Sequence, residues 1–152
     1  MLRLACKNFL KLNCVCGILT KIKTEIKEFF MPKISPLAVG NHSISLEEIK
    51  KQYGPPPWGH RVVITDQMTG TVICQAPGHP NDKHYHIYDE WWVVLEGEIH
   101  WEMEGQSEPV RAKAGDFVFA PKNHFHHIHV VGDKPAIRLA ISVTGEKHRH
   151  EK

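Results

Sequence analysis

The 152-residue chain has few cysteines and no long hydrophobic run over its first thirty residues. Of four cysteines, only Cys74 lies beyond residue 16, so most of the chain has no disulfide framework of the kind found in small secreted proteins. We therefore expect a cytoplasmic protein. The longest apolar run near the N-terminus, residues 14–19, is too short to span a bilayer, and we expect no membrane partner.

Excess positive charge is also missing from most of the chain. Residues 1–30 carry six Lys and Arg against two acids, whereas the remaining residues carry 13 Lys and Arg against 15 acids. A phosphate-binding face needs a basic patch on the folded part, so we expect no nucleic-acid partner. We interpret residues 1–30 as a basic leader or a non-native extension and residues 31–152 as the folded domain. An organelle-targeting role for residues 1–30 and a translation start at Met31 stay open.

Ten prolines and eleven glycines indicate many turns and argue against long helical bundles. One short helix is predicted after Ser45, because Ser45 and Glu48 fit a capping box and Leu46, Ile49 and Tyr53 share a helical face. The Gly-Pro-Pro-Pro sequence at residues 54–57 ends it.

Short β-type runs separated by turn residues fill the rest of the chain, which predicts an all-β sandwich or barrel. The eight predicted strands are residues 61–66, 71–75, 83–88, 91–95, 98–104, 117–120, 124–131 and 136–143.

The run at residues 90–95 is apolar on both faces of the predicted strand. Trp92 and Val94 share one face with Glu90, and Trp91 and Val93 lie on the other. One face can line a barrel interior. A second sheet, the N-terminal segment or another subunit must cover the other, so a homodimer is a further expectation.

Histidine is the abundant residue with chemical consequences. The chain has twelve, eight of them between His79 and His129. Alternation places His84 and His86 on one strand face, Glu90 starts the next strand, and a third imidazole can come from the His124–His126 region. Three imidazoles and one carboxylate suit a divalent transition metal, namely Fe(II), Mn(II), Ni(II), Cu(II) or Zn(II).

These residues resemble the two motifs of the cupin superfamily. The first, G-x5-H-x-H-x3-E-x6-G, is matched completely by Gly78, His84, His86, Glu90 and Gly97. The second, G-x5-P-x-G-x2-H-x3-N, is met by Gly115, Pro121 and His126, but Asn123 replaces its second glycine and Val130 its final asparagine. Asn tolerates the left-handed conformation expected at residue 123.

The resemblance, which covers about residues 60–143, implies a double-stranded β-helix, or jelly-roll cupin barrel. It also implies one metal held by His84, His86, Glu90 and His126. His124 is the substitute ligand if the strand register is shifted by two.

The implied function is that of a metal-dependent enzyme acting on a small-molecule substrate. A centre of three His and one Glu is similar to that of cupin dioxygenases, which favours Fe(II) and an oxidoreductase, with Glu90 as a ligand or a catalytic base. The sequence around Glu90 is loosely similar to proteins related to 3-hydroxyanthranilate dioxygenase. The alternatives are a metal-dependent isomerase or lyase and a non-catalytic cupin that binds a small ligand or metal.

Three further residues are candidates for substrate binding. Tyr88 and Trp92 fall on the ligand face by alternation, as a substrate wall or as core. Arg138 either clamps a substrate carboxylate from the barrel interior or lies exposed on an edge strand. His100, His127 and His129 are predicted to face away from the metal, and the charged tail, residues 147–152, is expected to be solvated.

Overall fold

The computed structural model describes residues 34–152, so the predicted leader lies outside the described residues. One helix, α1 (Leu46–Tyr53), precedes the strands. The strands are β1 (Trp58–Ile64), β2 (Met68–Gln75), β3 (Glu90–Glu96), β4 (Glu98–Met103), β5 (Val110–Lys113), β6 (Phe117–Ala120), β7 (His126–Val130) and β8 (Ala136–Val143).

The strands form two antiparallel sheets, which confirms the predicted all-β jelly-roll with one short helix. One sheet has five strands in the order β1-β2-β8-β3-β6, and the other has three in the order β5-β4-β7. Alternation along the strands directs one set of apolar side chains between the sheets. Trp92 and Val94 from one sheet meet Ile99 and Trp101 from the other in this core.

A second apolar cluster covers the outer face of the five-stranded sheet near α1. Ile49 of the helix packs there against Trp58, Val72 and Ile137. The helix begins after Ser45 as predicted, but the capping box is wrong, because the Ser45 side chain makes no cap hydrogen bond. Packing of the buried Ile49 therefore stabilises the helix. Tertiary packing supplies most of the stability of short helices in proteins.

Two strand predictions differ from the structure. Residues 83–88 are not a strand; only His84 and Tyr85 form isolated bridges, to His126 and Arg149. Strand β5 was not predicted, because its four residues are mostly exposed and carry little apolar pattern. The other seven predicted strands are present, with bounds that differ by up to three residues.

Two of the turn positions with a left-handed backbone bear on the sequence predictions. Gly97, between β3 and β4, has φ 77°, and a Cβ built there would lie 2.9 Å from both Cα and Cβ of Ala136. Glycine is thus required by conformation and by close approach. Asn123 has φ 61°, which confirms the expectation for this position.

Within residues 34–152, no helix has the length and apolar character needed to traverse a bilayer.

Candidate metal centre

Four predicted ligands come together from one loop segment, which carries His84 and His86, and from the first residues of two strands. Glu90 is the first residue of β3 and His126 the first of β7. His84 pairs with His126 through an antiparallel bridge, and the two exchange backbone hydrogen bonds of 3.1 and 2.8 Å. His86 lies two residues further along. All four side chains are buried, and His126 is only 1% exposed.

The ligand atoms of these side chains converge on one point between the sheets. One atom from each residue lies within 4.8 Å of every other. Nε2 of His84 is 3.1 Å from Nε2 of His126, and Oε2 of Glu90 is 3.2 Å from Nε2 of His86 and 3.6 Å from Nε2 of His126. Ligands bonded to one ion at about 2.0–2.2 Å have separations of this size.

Backbone carbonyls fix the orientation of two rings from the far side. Nδ1 of His84 donates to the carbonyl of Asp82 at 3.1 Å, and Nδ1 of His86 donates to the carbonyl of Lys147 at 3.2 Å. In a neutral imidazole the other nitrogen then carries a lone pair. With all three imidazoles neutral, the cluster therefore has three acceptor atoms, on His84, His86 and Glu90, and at most one proton, on Nε2 of His126, to share among them. A divalent cation satisfies such a cluster, so the residues fit the implied metal.

Burial favours the neutral, ligating form of two imidazoles. Burial, reinforced by the nearby His84 and His86, lowers the pKa of His126 to about 3. Burial and the neighbouring His148 also lower the pKa of His84. Burial opposes protonation of His86 as well, but the Glu90 carboxylate, together with the Lys147 carbonyl and Glu146, outweighs it and raises the pKa of His86. A cation that bound Glu90 would remove this effect on His86.

Five of the six tail residues 147–152 are exposed, as expected for a solvated segment, but the tail also packs beside the centre. Arg149 pairs with Tyr85, and the ring of His148 stacks on His84 with centroids 3.6 Å apart. The Glu146 side chain is buried, with Oε1 3.8 Å from Nδ1 of His86. Sequence reasoning missed Glu146 and His148, because a short charged tail has no periodic pattern that would signal packing.

The remaining candidate residues are placed as follows. Arg138 is buried on the inner face of β8, and Trp92 packs in the core with its ring 5.2 Å from that of His126. Tyr88 is 47% exposed, because strand alternation ends at His86. His124 is exposed and bonded to the carbonyl of Lys122, so the structure does not bring it to the cluster.

Comparisons with known proteins agree with this fold. A protein-family model described as a cupin domain matches residues 71–144. The polyketide synthase CurC of Streptomyces cyaneus is 34% identical over 76 residues, which are 49% of this chain and 47% of that protein. The chain thus spans about half the length of this curated relative.

Two solved structures share the architecture. An RmlC-like cupin family protein with a double-stranded β-helix fold, from Methanocaldococcus jannaschii, is 21% identical with a TM-score of 0.54, covering 60% of this chain and 84% of that one. A cupin-2 domain-containing protein from Shewanella frigidimarina is 14% identical with a TM-score of 0.58, covering 70% and 99% respectively. At these identities the likeness concerns the fold.

Proposed function

We propose that this chain is a cupin, because a cupin-domain model matches residues 71–144, and that it is a metal-dependent enzyme acting on a small molecule, with dioxygenase-type oxidoreductase chemistry at Fe(II). The observation that carries the proposal is the convergence of His84, His86, Glu90 and His126 in a buried cluster whose acceptor atoms outnumber its protons. Three neutral imidazoles and one carboxylate form a donor set that suits Fe(II) and its neighbours in the first transition series.

The protein's contribution is orientation, exclusion of water and movement of one proton. When bound, Fe(II) supplies the redox chemistry that O₂ requires. His84 and His86 are held by backbone carbonyls, so their rings keep one orientation. Glu90 serves as a ligand or, when released, takes a proton from the substrate at a carboxylate oxygen. Trp92 packs behind His126 and keeps that side of the centre dry.

Arg138 supports a substrate that carries a carboxylate. Its side chain is buried, Nη1 donates to Oε1 of Gln75 at 2.6 Å, and its Nε has no hydrogen-bond partner. No carboxylate oxygen of residues 34–152 lies within 4.0 Å of the Arg138 guanidinium. Burial lowers the pKa of Arg138 to about 10 and the Glu90 carboxylate only partly opposes this, so an anionic ligand would stabilise the charged guanidinium. We propose Tyr88, which is exposed and lies two residues from both His86 and Glu90 in the chain, as a further substrate contact.

Metal analysis followed by an oxygen assay tests the proposal. Freshly purified protein is analysed for Fe, Mn, Ni, Cu and Zn, and the Fe(II)-loaded protein is assayed for O₂ consumption with small aromatic and carboxylated compounds. Polyketide-type aromatics belong in the panel because a relative carries the name polyketide synthase. Substrate-dependent O₂ uptake is expected, and Arg138→Gln should raise KM for carboxylated compounds selectively.

Other outcomes separate the alternatives. Turnover without O₂ uptake would replace the oxygenase by an isomerase or lyase that uses the metal as a Lewis acid. Tight binding of a compound without turnover would favour a non-catalytic cupin. A protein that takes up none of the five metals contradicts all three functions.

The cytoplasmic location stays a proposal that rests on cysteine usage. Cell fractionation combined with mass spectrometry of the mature N-terminus tests it and decides whether residues 1–30 act in targeting.

A further inference from the structure

The outward-facing side of the three-stranded sheet carries a second group of metal-ligating side chains. We propose that Glu102, His127 and His129 form a second binding site for a divalent transition cation, separate from the buried centre. One ligand atom from each of these three residues lies within 4.8 Å of the other two. The proposal does not depend on the function proposed for the buried centre.

Strand register builds this site. Glu102 of β4 lies directly opposite His127 of β7, and His129 is two residues further along β7. Directly opposed residues and residues at i and i+2 share one face of an antiparallel pair. The neighbouring Trp101 and Ile128 are buried, so the three ligating side chains point away from the core, as predicted for His127 and His129. The backbone therefore holds the three side chains together.

A hydrogen bond on the far side of His127 fixes which nitrogen faces Glu102. Nε2 of His127 donates to the carbonyl of Asn81 at 2.9 Å, so in the neutral ring Nδ1 carries the lone pair. This Nδ1 faces Oε2 of Glu102 at 3.7 Å, and two acceptor atoms oppose each other with no proton between them. Metal-binding histidines commonly donate their second ring nitrogen to a carbonyl in this way.

Asn81 is itself held in place. Its amide donates to the carbonyl of Ile128 at 3.0 Å and accepts from the Gln75 amide at 2.7 Å. Gln75 in turn accepts from the buried Arg138. The carbonyl that orients His127 thus belongs to a residue anchored on both sides, which makes the site more rigid than an ordinary surface cluster.

The distances between the ligand atoms and the types of ligand atom indicate which cations fit this site. Nε2 of His129 is 3.0 Å from Oε1 of Glu102, and Nδ1 of His127 is 3.7 Å from Oε2 of Glu102. Two ligands of a tetrahedral ion with bonds of about 2.0–2.2 Å lie roughly 3.3–3.6 Å apart, between these two distances. Two imidazoles and one carboxylate suit Zn(II), Ni(II) or Cu(II). Because the three side chains are partly exposed, water completes the coordination and we expect weaker binding than at the buried centre.

Zinc titration of the full chain against a chromophoric chelator tests the proposal. We expect two equivalents of Zn(II) per chain. Glu102→Gln and His129→Ala should each weaken the second equivalent at least tenfold. Glu98→Gln is the matched control, because Glu98 lies on the same strand and bonds to His100 instead; this variant should keep both equivalents. His86→Ala should lose the buried equivalent and keep the one that Glu102→Gln removes.

Nitrogen-15 spectra of the imidazoles identify the ligating atoms independently of stoichiometry. Zinc should shift Nδ1 of His127 while its Nε2 stays protonated, and it should shift Nε2 of His129. The proposal is overturned if the wild-type chain binds one equivalent that Glu102→Gln retains, if Glu98→Gln loses the second equivalent to the same extent, or if neither imidazole shifts.

Discussion

At the scale of single residues, the face of the strand on which an imidazole lies decides whether it reaches the buried centre. His86 is buried with Nε2 directed at Glu90, whereas His100 bonds to Glu98 on the outward side of β4. We predict that His86→Ala lowers Fe(II) affinity at least tenfold and that His100→Ala leaves it unchanged. Iron content after anaerobic loading measures both, and circular dichroism controls for folding. Equal loss in the two variants would show that this assignment of faces is wrong.

The four clustered residues could be predicted from the sequence because their spacing matches the two cupin motifs. Strand alternation then correctly separated His126 from His127 and His129, since the period of two is a property of the backbone. Tyr88 could not be predicted in the same way, because the segment containing it is not a strand. Whether the Arg138 side chain lies in the interior or is exposed depends on which face of β8 the second sheet covers. No local sequence pattern encodes which face that is.

At the scale of elements, the turn between β3 and β4 depends on a position that only glycine fits. We predict that Gly97→Ala destabilises the protein by about 3 kcal/mol, because the left-handed backbone costs about 1–2 kcal/mol and the new methyl group overlaps Ala136. Urea unfolding measures this loss.

Gly132, between β7 and β8, supplies the matched control for the turn. It has φ 84°, but no atom lies within 4 Å of the place that a methyl group would take, so Gly132→Ala should cost only about 1 kcal/mol. Equal losses in the two variants would mean that the contact with Ala136 relaxes without cost.

The C-terminal residues 146–152 support the buried centre at two of its histidines. Deleting residues 146–152 removes the Lys147 carbonyl that accepts from His86 and the His148 ring that stacks on His84. We predict a 10–100-fold loss of metal affinity with the strands intact, since a partner that orients a ligand typically has an effect of this size. Competition with a chelator measures the affinity.

A shorter deletion serves as the control for the tail. Removing only residues 151–152 eliminates the bond from the Tyr85 hydroxyl to the Glu151 carbonyl but leaves Lys147 and His148 in place. This variant should bind metal like the full chain. Unchanged affinity in both deletions would show that the tail does not orient His86.

Elements with a strong local pattern were predictable, and elements held by distant contacts were not. The apolar run in β3 and the alternation in β7 predicted strands at nearly the observed positions. Strand β5 has four mostly exposed residues and is held by pairing with β4, which only the folded chain reveals. The tail is charged throughout, and its bridge to Tyr85 spans more than sixty residues of sequence.

At the scale of the whole molecule, one apolar face of the described region has no cover. Trp91 lies opposite Phe119 and Val93 opposite Phe117 on the outer side of β3 and β6. Phe117 is 74% exposed and Phe119 57%. β6 is also an edge strand of its sheet, so unpaired backbone groups lie beside the aromatic rings. A contiguous patch of exposed aromatic side chains is typical of a surface that associates with another protein.

We propose that a second copy of the chain covers this face, because an uncharged patch of aromatic rings matches its own copy in a two-fold dimer.

Light scattering at micromolar concentration tests this dimer, and the wild-type chain should have twice the monomer mass. Phe119→Glu should reduce the mass to that of one chain, because a charge at the centre of an apolar interface is left without a partner. Ile64→Glu is the control: Ile64 is 47% exposed but lies on β1, at the opposite edge of the sheet, so this variant should remain dimeric. A monomeric wild-type chain, or a Phe119→Glu variant that stays dimeric, would contradict this proposal.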